Sequence, residues 1–103
     1  MDDNDKTTRD KLADQIGTAP WSLLEVHAQN DHLILVDSSL TILDVALGIA
    51  ENHTDVVSTW ITDGLVGKPT LEQWDAFKSD HVRRFQFVVV QPYVLAQLVN
   101  VDF

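Results

Sequence analysis

The apolar positions of this chain change period several times, and each change marks an element. Leu12, Ala13 and Ile16 share one side of a short helix that Thr7 or Thr8 caps and Gly17 stops. After Thr18-Ala19-Pro20, Trp21, Leu24 and Ala28 again follow helical spacing, with Pro20 in the first turn and Asn30-Asp31 at the end. His32-Leu33-Ile34-Leu35-Val36 then reads as a strand that is apolar on both alternating faces. That pattern suits a strand covered on both sides, or one at an interface.

Asp37-Ser38-Ser39 forms a turn whose side chains can bond their own backbone, and Ser39 is the expected N-cap of a helix from Leu40 to Glu51. Its apolar residues cover well over half of a helical wheel and leave one narrow polar stripe. So wide an arc predicts a central helix packed on the sheet and on at least one other helix. Thr54 caps the next helix, with Val56, Val57, Trp60 and Ile61 on one side. Gly64 is its left-handed stop, and Leu65 then meets Trp60. Gly67-Lys68-Pro69 reads as a loop. Thr70-Leu71-Glu72-Gln73 has the form of a capping box and opens a helix that buries Leu71, Trp74 and Phe77. Arg83-Arg84 closes that stretch as a pair of charges guarding a sticky strand. Phe85–Val90 is the clearest strand, Gln91-Pro92 interrupts it, and Tyr93–Val99 reads as extended.

The order predicts one α+β domain over residues 7–103, a two- or three-stranded sheet on about five helices. Residues 1–6 are acidic and without periodicity, and are expected to be disordered. The two main strands lie roughly 45 residues apart, enough for a parallel crossover. A small apolar sheet has edges that need cover, and a second copy of the chain would supply it. The expected interface residues are Leu33, Leu35, Phe85, Phe87 and Tyr93.

Composition narrows the function classes. The 103 residues carry a formal charge of −9 and no cysteine, with 45% hydrophobic and 22% charged residues. Phosphate backbones are repelled by this balance, so a nucleic-acid partner is not expected. No apolar run approaches the roughly 20 residues a bilayer needs, and no secretory leader is visible, so no membrane partner and a cytoplasmic location are expected. The absence of cysteine removes thiolate metal sites, iron–sulfur ligation and thiol nucleophiles. Gly64-Leu65-Val66-Gly67-Lys68 lacks the spacing of a phosphate loop, and no serine sits in a nucleophile elbow. His27, His32, His53 and His81 have no local zinc spacing. No cofactor and no catalytic residue are therefore expected. Trp21, Trp60 and Trp74 occupy apolar helical positions and read as core.

One polar constellation stands out. Asp37 follows a strand, and Asp44 and Glu51 are seven apart on one helix face. Three converging carboxylates could hold a hard divalent cation. The plainer reading is a capped turn and a wet helix stripe. Two functions follow. The first is a small interaction or adaptor domain without chemistry of its own, which pairs with itself or with another protein. The second is a minimal metal- or small-ligand-binding protein built on Asp37, Asp44 and Glu51.

The succession of Pro20-Trp21, Leu33–Leu40 running into an apolar helix that ends at Glu51, Lys68-Pro69, and Phe85–Leu95 resembles a small bacterial family catalogued only as a domain of unknown function. The likeness runs from about Lys11 to Leu98. It implies a short, stand-alone, cytoplasmic protein. The family has no assigned activity, cofactor or catalytic residue, so none carries over. It often has proline after the aspartate matching Asp37, where this chain has Ser38, and the histidines are not part of its pattern.

Overall fold

Strands that are apolar on both faces need two layers of cover, and the helices of this chain supply both. The computed structural model describes residues 8–80 and 83–99. In chain order these form α1 (Thr8–Gln15), β1 (Gly17–Pro20), α2 (Trp21–Gln29), β2 (Leu33–Val36), α3 (Ile42–Ala50), α4 (Thr54–Thr62), β3 (Val66–Gly67), α5 (Leu71–Ser79), β4 (Arg84–Val90) and β5 (Tyr93–Leu98). The acidic segment 1–6 and His81 lie outside the described residues.

The α+β reading holds, but the sheet has five strands, not two or three, in the order β1-β4-β5-β2-β3. β1 and β3 were hidden in stretches read as a helix stop and a loop. Each is a short edge strand, held by its partner's hydrogen bonds and not by propensity. Gly17 to Pro20 pair with Phe87 to Arg84, and Val66-Gly67 pair with Val36-Leu35. The tail after Pro92 is extended, as read, and forms an antiparallel hairpin with β4. The parallel partner of β2 is this tail, β5, and not β4.

Alternation along β2, β4 and β5 sends side chains to two cores. Val36, Val88, Val90 and Leu95 face α1 and α3, where Leu12, Ile42, Val45 and Ala46 meet them. Leu33, Phe85, Val94 and Ala96 face α2 and α5, where Trp21, Leu24, Ala28 and Phe77 meet them. Leu33, Val45, Phe85, Val88 and Leu95 are all 0% exposed. Burying a side chain of this size stabilises by about 1.5–3 kcal/mol. On the second face the Trp21 ring lies 5.2 Å from Phe77 and 5.9 Å from Phe85, and Phe77 meets Phe85 edge-on at 5.0 Å.

The central helix has the neighbours its wide apolar arc demands, since α3 packs on β4 and β5 and also on α1 and α4. A Cβ on Gly48 would come within 3.3 Å of the Trp60 ring, so the small residue sets how closely α3 and α4 approach. α3 starts at Ile42 with Thr41 as N-cap, two residues later than the Ser39 cap predicts. The reason is local: the Ser39 amide donates to the Asp37 carboxylate, which holds residues 37–39 in their own turn. Helix α4 ends as read. Gly64 has φ +77°, and the Leu65 amide reaches back to the Trp60 carbonyl at 2.9 Å. The same closure recurs after α2 and α3 with Asp31 and Asn52 at positive φ. The capping box at Thr70 and Gln73 is complete.

Gln97 is the buried polar residue among these cores. Its amide nitrogen donates to the Asp37 carbonyl at 2.8 Å and also to the Leu40 carbonyl. Its oxygen accepts from the Gln86 amide at 2.8 Å. Gln97→Leu keeps the volume but takes the donor from the Leu40 carbonyl and the acceptor from the Gln86 amide at part-buried positions, while the Asp37 carbonyl keeps the Leu40 amide at 3.1 Å. The expected loss is about 1–3 kcal/mol, from the usual cost of a polar group left without its partner. Urea denaturation with an unchanged m-value checks it.

Candidate functional site

The three carboxylates do not converge. Asp37 stays in its turn, where Oδ2 accepts from the Ser39 amide at 2.9 Å. Asp44, in the first turn of α3, pairs with Arg9 of α1 at 3.0 Å. Glu51 lies one residue past α3, with its carboxylate 3.6 Å from the His53 imidazole. Among the described residues no three acidic or imidazole side chains stand close enough to hold a metal ion. Helical spacing put Asp44 and Glu51 on one side, but each is drawn to a neighbour of its own, and the turn separates Asp37 from both.

The interface candidates are mostly spent inside the chain. Leu33 and Phe85 are fully buried, and Leu35 and Phe87 pack against the same core. The cover expected from a second copy comes from α2 and α5. Of the five, Tyr93 alone stays exposed, at 39%. Trp21 is buried, while Trp60 and Trp74 are half-buried against the two cores, as read. The Trp74 indole donates to Glu25 at 2.8 Å. Arg83 forms an ion pair with Asp80 at 2.7 Å.

What the structure builds instead is a cleft. β2 and β5 are parallel, so their carboxyl ends lie at one end of the sheet, the place where open sheets with parallel strands bind ligands. A cavity of about 550 Å³ opens there. Its floor is apolar, from Leu35, Phe77, Phe85, Ala96 and Leu98, and its rim is polar, from Asp37, Ser38, Lys68, Thr70 and Gln73, with the Lys68 ammonium 3.5 Å from the Asp31 carboxylate. The Ser39 hydroxyl and amide, both hydrogen-bonded to Asp37, hold its carboxyl below the usual range, so Asp37 brings one negative charge to the rim at neutral pH. Thr70 and Gln73 are fixed in the capping box.

Gly67 keeps the cleft open. It pairs with Leu35, and a Cβ built on it meets nothing within 4 Å. Sequence reading missed Gly67, Thr70 and Gln73 as site residues. Glycine in a Gly-Lys-Pro stretch reads as a loop, and a capping box reads as a helix start; neither carries a signal for a cavity.

The chain is thus a single α+β unit with helices on both faces of a mixed sheet and a cleft at the carboxyl ends of its parallel pair. The family described as "Protein of unknown function (DUF2288)" matches residues 7–98, and the chain belongs to that family. Among solved structures it is similar to the one described as "NMR solution structure of PA1075 from Pseudomonas Aeruginosa". The TM-score is 0.78 at 22% identity, over 98% of this chain and 94% of that one, which shows a shared fold. No curated protein matches the chain.

Asp37 makes the turn sensitive to acid. Its folded pKa lies below the ordinary 3.8, so the ionised form stabilises the fold above that value. This contribution fades as pH falls through the lowered folded pKa. Asp37→Asn should therefore melt below wild type at neutral pH, and the two melting temperatures should converge at the acid end. Thermal unfolding at several pH values checks it.

Proposed function

We propose that this protein is a binding domain that holds a small amphipathic molecule in the cleft between β2, β5 and α5. The observation that carries the reading is an aromatic and aliphatic floor beneath the ionised Asp37. Apolar surface supplies affinity and a few placed polar groups supply orientation. The floor suits a branched or aromatic body, and the Asp37 carboxylate suits an amine at the rim. The proposed role is binding without turnover, in the cytoplasm; fractionation tests the location.

The test uses 2-phenylethylamine against its matched anion, 3-phenylpropionate, titrated into methyl-labelled protein. The amine should shift the Leu35 and Leu98 methyls and the anion should not. Gly67→Phe places a ring where Gly67 leaves space. It should keep the melting temperature within about 5 °C, the scale of roughly 1 kcal/mol in a domain of this size, and abolish the shifts. Cleft methyls that ignore both compounds would sink the reading.

A second reading, self-association as an adaptor, is supported by the apolar side chains left on the surface of α2. Leu23 and Val26, three apart on one helix side, are 63% and 51% exposed. Sedimentation equilibrium should then give twice the 11.6 kDa chain mass, and Leu23→Lys should return it to one. A single-chain mass at all concentrations counts against it.

A further inference from the structure

Helix α4 is the one described helix that buries no side chain. From Glu51 to Gly64 every residue is exposed except Val57 and Trp60, which are half-buried. The helix packs on α3 and β3. Its Trp60 ring rests on Gly48, which has no side chain to interlock with it. Its side-chain hydrogen bond, from the Thr59 hydroxyl to the Asp55 carbonyl at 3.0 Å, stays within the helix. Among the described residues no ion pair ties α4 to another element. An element held so lightly separates from the fold at a lower free energy than the cores do.

The two ends of α4 let it move as a unit. Asn52 closes α3 at φ 58° before the helix, and Gly64 follows it at φ +77° with nothing within 4 Å of where a Cβ would stand. Just beyond, the Leu65 carbonyl is tied to β2 by the Asp37 amide at 2.8 Å. A swing of α4 is therefore absorbed at Gly64 on that side, as terminal residues do in a hinge. Space exists on both sides of the helix end. A groove of about 340 Å³ separates α4 from the sheet, and the cleft opens across β3; Ile61 lines both. Ile61 is 56% exposed, so in the free protein it gains little whichever way α4 leans. An apolar body in the cleft changes this, because it covers Ile61 only when α4 leans over the cleft. Such a difference in contact is what shifts a conformational equilibrium.

We propose that α4 is a lid of the cleft: it swings as a rigid helix between Asn52 and Gly64, and Ile61 closes on the apolar body of a bound ligand. The lid rests on the cleft reading above and adds to it a control on release, since the ligand leaves when α4 lifts. Trp60 sliding on Gly48 is the pivot.

Amide hydrogen exchange on the full chain tests the lid, without ligand and with 2-phenylethylamine at about ten times its Kd. In the free protein the α4 amides should exchange at least about tenfold faster than those of α3. The amine should slow the α4 amides about tenfold and leave the α1 amides unchanged. Helix α1 is the control for plain fraying, because it buries Leu12 alone and no residue of it lines the cleft. Ile61→Ser, at an exposed position, should keep the melting temperature and the ligand-induced shifts of the Leu35 and Leu98 methyls. It should weaken amine binding about tenfold, as loss of an apolar contact does, and abolish the slowing of α4 at ten times its own Kd. Four results overturn the lid and leave the cleft reading standing: α4 amides as slow as those of α3 in the free protein, cleft methyls that shift while α4 keeps its free rate, equal slowing of α1 and α4, or an Ile61→Ser variant that binds and protects like wild type. An amine that moves no cleft methyl overturns both.

Discussion

One buried amide ties this molecule together. Gln97 sits on β5 beside its cross-strand partner Gln86 and holds the two carbonyls, of Asp37 and Leu40, that turn the chain from β2 into α3. On its other side the turn is tied by the Asp37 amide, which donates to the Leu65 carbonyl at 2.8 Å next to β3. α3 begins without a side-chain cap, and residues 37–39 form their own loop around the Asp37 carboxylate. A buried amide with its hydrogen-bonding capacity used in this way specifies one arrangement, because any other gives up these hydrogen bonds at the edge of the core. It fixes where Asp37 stands, and with it the charged lip of the cleft. The pairing of Leu33 with Val94 and of Leu35 with Ala96 sets the register that brings Gln97 to this turn. Backbone register and side-chain chemistry therefore agree, which is the consistency a unique fold requires.

The elements that could be read from the chain are those whose signal is local. Phe85–Val90 is β-branched and aromatic throughout, and it is a strand. Thr70 and Gln73 satisfy each other within one helical turn. Gly64 takes the left-handed conformation and closes α4. The elements that escaped are those whose stability is non-local. Gly17-Thr18-Ala19-Pro20 has poor strand propensity at three positions, yet pairing with Phe85, Gln86 and Phe87 makes it β1. Val66-Gly67 is too short to show a period, and it is a strand because Leu35 and Val36 offer it an edge. Likewise the parallel neighbour of β2 is decided by the hairpin that follows β4, which no spacing between β2 and β4 reveals.

The surplus of apolar residues has the same explanation. Leu33, Leu35, Phe85 and Phe87 looked like an interface because a sheet of two or three strands with one helical layer has no use for them. Five strands with helices on both faces do. The aromatic cluster of Trp21, Phe77 and Phe85 is the second layer that was missing from that count. The carboxylates show the converse error. Spacing along a helix says which side chains share a direction, but not what stands opposite them. Arg9 stands opposite Asp44 because α1 packs on α3, a contact between elements far apart in the reading of either.

The cleft and the groove under α4 both arise where this economy of cover stops. β3 is two residues long, Pro69 follows two residues after its end, and Gly67 presents no side chain to the cleft. A longer strand with a branched residue at that position would extend the wall over Leu35 and close the floor. On the other side of β3, α4 is held by Trp60 against Gly48 and by its short contact with β3, so it stands away from the sheet instead of lying on it. The gap it leaves is the groove. A fully covered sheet would be more stable by the area buried, since apolar burial stabilises by about 25 cal/mol per Å². The chain forgoes that gain on both sides of the same two-residue strand. Its cores are closed elsewhere down to residues of zero exposure. Surfaces left open in an otherwise closed fold are where binding free energy can still be gained, and that is the physical ground for placing function there.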